Sequence, residues 1–95
     1  MDGGAKMLSG ELNTIIIGKK PISTYVLSAI IMFNQGAEEI ILKARGDVIS
    51  KAVDVFNALR DRLGDSIELA GIEIGSENVG SKRTSYIKIK VKRTF

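Results

Sequence analysis

The chain has 95 residues, 44% of them hydrophobic, with no Cys, no His, one Pro and a formal charge of +3. That length makes a single domain able to bury about 60–65% of its unfolded surface. The missing Cys and His exclude a disulfide framework, thiolate metal sites and the commonest general base. No apolar run approaches the ~18 residues of a membrane span, so a soluble, cytoplasmic protein with no metal, cofactor or membrane contact is expected.

Residues 1–10 lack a hydrophobic signal core and read as a flexible tail before a domain spanning 11–95. Leu12 to Ile17 is a β-branched run ending at Gly18, the pattern of a buried strand. Lys19 and Lys20 form a basic turn, and Pro21 suits a first helical turn, where its missing N–H costs nothing. Ile22, Tyr25, Val26, Ala29, Ile30 and Phe33 then recur at helical spacing. Leu27, Ile31 and Met32 widen that stripe, predicting a helix buried on more than one side. Gly36 stands at the left-handed position that closes it.

Glu39 to Ala44 is a second strand, Arg45-Gly46 a turn, and Asp47 the expected N-cap of a second helix. Ile49, Ala52, Val53, Phe56, Leu59 and Leu63 form its apolar face, and Gly64-Asp65 ends it. Ile67 to Ser76 and Thr84 to Lys92 are two further strands joined as a hairpin. In the last one, Ile87, Ile89 and Val91 alternate with Lys88, Lys90 and Lys92. The strand before it changes phase between Leu69 and Ile72, and a bulge at Gly71 would reconcile its halves and bend the hairpin away as an arm. The order βαβαββ predicts an α/β two-layer sandwich with both helices on one face of a mixed four-stranded sheet.

Charge is segregated along this chain. Residues 78–95 hold six basic side chains and no acid, whereas residues 1–77 hold eight basic against eleven acidic. Such a field points to a polyanion, with nucleic acid ahead of an anionic membrane. Lys88, Lys90 and Lys92 have an ordinary reading as a solvated ladder facing Glu68, Glu73 and Glu77. Lys82 and Arg83 near the hairpin tip instead read as phosphate or groove contacts. Gly18-Lys19-Lys20-Pro21 and Lys43-Ala44-Arg45-Gly46 occupy equivalent strand-to-helix turns. Two parallel strands would bring those turns to one sheet edge, where Lys19, Lys20, Lys43 and Arg45 would meet phosphate, with Lys51 as an additional contact. The acids fall mostly at caps or on solvent-facing positions, so no catalytic residue and no enzyme are expected.

Taken together, Gly18-Lys19-Lys20-Pro21, Phe33-Asn34-Gln35-Gly36 and Lys43-Ala44-Arg45-Gly46 leading into Ile49-Ser50-Lys51-Ala52-Val53-Asp54 resemble the Alba family of archaeal chromatin proteins. The similarity runs from about Leu12 to Lys92 and looks closer to the family's divergent second-type paralogue. It implies a fold like the C-terminal domain of bacterial translation initiation factor three. It implies a homodimer that coats or compacts double-stranded DNA with little sequence preference, is chromosome-associated and also binds RNA. The alternative it carries is an RNA-binding protein or a subunit of an RNA-processing particle. The family's basic turn residues correspond to Lys19, Lys20 and Arg45, with Lys19 the position of charge-removing acetylation. Its flexible hairpin corresponds to residues 76–85, shorter here than in the best-known members. Leu63 replaces a Phe that many members use for dimer–dimer contacts along DNA; a heterodimer with a paralogue is a further possibility of the family.

Overall fold

The computed structural model describes residues 13–95, so the expected tail at residues 1–10, together with Glu11 and Leu12, lies outside the description. Six main elements follow: β1 (Thr14–Ile16), α1 (Ile22–Asn34), β2 (Glu39–Arg45), α2 (Ile49–Leu63), β3 (Ile67–Val79) and β4 (Lys82–Arg93). Short 3-10 turns at Gly46–Val48 and Gly64–Ser66 lead into α2 and out of it. The sheet order is β1-β2-β4-β3, with β1 parallel to β2 and the other pairs antiparallel. This is the expected βαβαββ sandwich.

Period-two alternation supplies the sheet's half of the core. Ile40, Leu42 and Ala44 of β2 stand opposite Val91, Ile89 and Ile87 of β4, and all six are buried. The helices supply Tyr25, Val26, Ala29 and Phe33 from α1, and Ala52, Val55 and Leu59 from α2. Burying each larger side chain is worth about 1.5–3 kcal/mol, so this one cluster carries most of the fold.

Three helical expectations need correction. In α1, Leu27 and Ile31 are 56% and 45% exposed, so the helix is buried along one stripe only. Ile31 and Met32 instead border a cavity of about 830 Å³ beside the open edge of β1. In α2 the buried line runs through Ala52, Val55 and Leu59, while Val53 turns outward. Val55 lies three residues from Ala52 and four from Leu59, and this spacing centres the face there. Asp47 is also not the N-cap. It sits within the 3-10 turn, and Val48 precedes α2 without a side-chain cap bond.

The bulge is where the change of phase placed it. Leu69 pairs with Val91 and Gly71 with Lys90, leaving Ala70 as the extra residue. Ile67, Leu69, Ile72 and Ile74 thereby share the helix-side face despite their change of parity. Exposure climbs along that row from 1% at Ile67 through 44% and 56% to 75% at Ile74, because the hairpin runs out past the helices. Strand pairing continues to Val79 opposite Lys82, so the segment expected as a loop is largely hydrogen-bonded ladder. Gly80 closes it with φ 65, and Ser81 does not share the positive φ. That is the pattern of a two-residue type II′ turn, which needs glycine first.

Candidate nucleic-acid interface

The site begins with the parallel pairing of β1 and β2. Ile16 stands level with Lys43, and the Ile17 N–H donates to the Lys43 carbonyl at 2.8 Å. The chain leaves β1 through Gly18-Lys19-Lys20 and leaves β2 through Arg45-Gly46, so both basic turns emerge at one end of the sheet. Antiparallel pairing puts the start of β4 at that same end, with Tyr86 opposite Arg45. Beyond that pair the hairpin runs four more residues to Lys82, a projection of about 13 Å.

The first turn is held by a residue that periodicity assigned only to the core. The Tyr25 hydroxyl accepts hydrogen bonds from the Gly18 N–H at 2.8 Å and the Lys20 N–H at 3.1 Å. Two N–H groups of this turn are therefore already satisfied, leaving Lys19 and Lys20 to present their exposed side chains instead. Lys51 reaches across from α2 to donate to the Gly18 carbonyl at 2.8 Å, with its ammonium 5.6 Å from the Tyr25 ring centre. Lys51 thereby supports the turn at the same basic edge where a phosphate contact was expected of it. A buried aromatic stripe containing a hydroxyl was the available signal, since such a group needs a polar partner.

The second turn carries an acid as well as its cations. Arg45 Nη1 lies 2.8 Å from Glu77 Oε2, and Lys43 Nζ lies 3.7 Å from Glu77 Oε1. The Arg45 hydrogen bond and the nearby Lys43 charge hold the Glu77 carboxyl below its ordinary value, outweighing desolvation. Lys43 also stands 5.7 Å from the Tyr86 ring centre. Tyr86 donates its hydroxyl to Glu73 Oε2 at 2.8 Å, and this bond, with burial, raises its pKa above 10.0. The ring lies close over Gly75, where a Cβ would come within 2.9 Å of the hydroxyl, so a larger residue there would have to displace the Tyr86 ring.

Lys82 and Arg83 are neighbours on one strand and so face opposite ways. By parity Lys82 shares the outer face with Arg45 and Tyr86. Arg83 lies on the helix-side face and donates from Nε to Ser76 Oγ at 3.0 Å. The lysine ladder is met by acids: Lys92 lies between Glu39 and Glu68, and Lys88 stands level with Glu73. Arg93 donates to the Phe33 carbonyl at the end of α1. Exposed Lys19, Lys20 and Arg45 and half-buried Lys43 therefore lie at one sheet end, with exposed Lys82 farther out on the hairpin. Among the described residues no group of His, Cys, Asp and Glu has the arrangement of a metal site.

Comparison with known proteins agrees with this architecture. The Alba family model matches residues 13–76. The DNA/RNA-binding protein Alba 2 of Saccharolobus solfataricus is 46% identical over 89 residues, covering 93% of this chain and all of that one. Its counterpart in Saccharolobus shibatae is 47% identical with the same coverage. The structure of Alba from Thermoplasma volcanium superposes with a TM-score of 0.80 at 40% identity, over 85% of this chain and the whole of that one. The relatives named Alba 2 accord with the resemblance to a second-type paralogue. On the family match and these identities, the chain belongs to the Alba family.

Proposed function

We propose that this chain is a nucleic-acid-binding chromatin protein that coats or compacts double-stranded DNA as a dimer, with little sequence preference. The observation that supports it is the gathering of Lys19, Lys20, Lys43 and Arg45 at one end of the sheet, from which the hairpin bearing Lys82 also projects. Cations on a rigid sheet end grip backbone phosphate, which carries no sequence information. Affinity then comes mainly from counterion release, with a log–log salt slope of about −0.9 per phosphate neutralised. The relatives bear the name DNA/RNA-binding protein, and A-form and B-form backbones both accept such a grip, so RNA is the second ligand to test.

The dimer in this reading uses the helix-side flank of β3. Leu69, Ile72 and Ile74 form an exposed apolar row that a second copy would cover. Two subunits would set two basic ends and two hairpins against one duplex, with Arg83 and Lys82 on opposite faces of each arm. Lys19 is exposed, as a site of charge-removing acetylation must be. No described helix is long and apolar enough to cross a membrane. The proposed location is the chromosome.

The test is a fluorescence-anisotropy titration on two unrelated DNA duplexes and one RNA duplex over a salt series. Similar affinity for the two DNA sequences, with a steep salt slope and weaker RNA binding, supports the chromatin role. Preference for RNA moves the function to RNA handling. A flat salt response removes the phosphate grip.

A further inference from the structure

Glu77 is out of keeping with its surroundings. It is the last acid in the sequence, and it lies on the outer face of the hairpin where the proposed interface needs positive charge. Its two carboxylate oxygens are divided between two cations, Oε2 to Arg45 at 2.8 Å and Oε1 to Lys43 at 3.7 Å. Beside these cations is a cavity of about 390 Å³, lined by Ile16, Ile17, Lys43, Ala44 and Arg45. Its walls are the ends of β1 and β2, the same sheet end that carries the basic turns. The Glu77 carboxylate is thus paired with two of the residues that line a recess large enough for a phosphate group.

We propose that Lys43 and Arg45 form a phosphate subsite that Glu77 occupies in the free protein, and that a backbone phosphodiester takes the carboxylate's place on binding. This inference rests on the nucleic-acid reading above and names the residue that controls access to the site. A carboxylate presents two oxygens to the two cations as a phosphodiester presents its two non-bridging oxygens, so the exchange conserves charge at the subsite. It does not conserve the contact between the hairpin and β2. Glu77 tethers β3 to the end of β2, and displacement of its carboxylate removes that tether. Phosphate capture and loss of that ion pair therefore become one event. The competition lowers affinity for any ligand that cannot displace the carboxylate, and it prevents Lys43 and Arg45 from gathering small anions when no strand is present.

The experiment compares wild type, Glu77→Gln, Glu68→Gln and the pair Lys43→Ala/Arg45→Ala, the last with and without Glu77→Gln, on one DNA duplex at about 0.1 M salt. Glu68 lies on the same strand opposite Lys92, so Glu68→Gln removes an equal charge without touching the subsite. The proposal expects Glu77→Gln to bind about two- to fivefold tighter than Glu68→Gln. That advantage should vanish when Lys43 and Arg45 are alanine. A second readout follows the Arg45 Nε–H resonance during titration with inorganic phosphate, which should shift at lower phosphate in Glu77→Gln than in wild type. Equal affinities for Glu77→Gln and Glu68→Gln, or identical phosphate titrations, overturn the surrogate role while leaving the nucleic-acid reading intact. Failure of wild type and all variants to bind any duplex overturns that parent reading, and the surrogate role with it.

Discussion

Tyr25→Phe isolates the support of the first basic turn from the turn itself. The substitution keeps the ring, which is 7% exposed and part of the core, and removes only the oxygen that accepts from Gly18 and Lys20. Each lost hydrogen bond is worth about 1 kcal/mol net, and water reaches part of the turn, so a destabilisation of about 1–2 kcal/mol is expected. In urea this moves the unfolding midpoint down by about 1 M at unchanged slope. Far-UV circular dichroism at one fixed protein concentration is the assay, because a dimer's apparent stability varies with concentration. The lysines remain, but they must be ordered on binding, which should weaken duplex affinity about two- to tenfold. Lys51→Met removes the ammonium that bonds Gly18 and lies over the same ring, so the double variant should depart from additivity by about 0.5 kcal/mol or more. Wild-type stability and wild-type affinity in Tyr25→Phe would refute the claim that the hydroxyl organises the turn.

Removing both lysines of that turn, in Lys19→Ala/Lys20→Ala, should make the log–log salt slope shallower by about 1.8, two phosphate contacts at ~0.9 each. An unchanged slope in the anisotropy series would place the phosphates elsewhere. Ile72→Glu/Ile74→Glu puts charge on the exposed apolar row and should give a folded monomer by sedimentation velocity; a persisting dimer would move the interface off β3. The raised pKa of Tyr86 means its bond to Glu73 contributes fully below the ordinary value of 10.0 and is lost as pH rises through the higher folded value. Phenolate absorbance, with Tyr86→Phe identifying the transition, should therefore show this tyrosine ionising later than it does in Glu73→Gln. For Glu77 the sign is opposite. Its carboxyl is held low, so the tether is in place above the ordinary 4.5 and is lost as pH falls through the lower folded value, a change readable from its side-chain carbon resonance.

Alternation and spacing were enough to read both layers of this fold, because a half-buried strand and a half-buried helix each leave a periodic trace. Parallel pairing of β1 and β2 likewise follows from a strand–helix–strand order, and with it the emergence of both basic turns at one end of the sheet. What periodicity cannot supply is the destination of a polar atom at the end of a side chain. Tyr25 sits on an apolar stripe whether or not its hydroxyl turns toward Gly18, and Lys51 has the same helical position whether its ammonium faces solvent or a carbonyl. The outward turn of Leu27 and Ile31 was hidden for a related reason. A wide apolar stripe gives the composition of a helix surface, while burial depends on whether another element covers it.

The face on which Glu77 lies depends on one extra residue. Ile67 and Leu69 face the helices, so without a bulge every odd-numbered residue of β3 would do so, Glu73 and Glu77 included. Ala70 shifts the count by one before Gly71. That shift keeps Ile72 and Ile74 on the helix side and turns Glu73 toward Tyr86 and Glu77 toward Arg45. The same insertion therefore maintains the apolar row available to a second subunit and sets an acid against the cations of the sheet end. Deleting Ala70 would leave the pairing and both faces as they are, because Gly71 would then follow Leu69 opposite Lys90 in a regular ladder. Keeping Ala70 without a bulge would instead turn Ile72 and Ile74 outward and Glu77 to the helix side, so both surfaces would be lost together. The bulge thus couples the surface proposed for dimerisation to the surface proposed for phosphate, although the two lie on opposite faces of one strand.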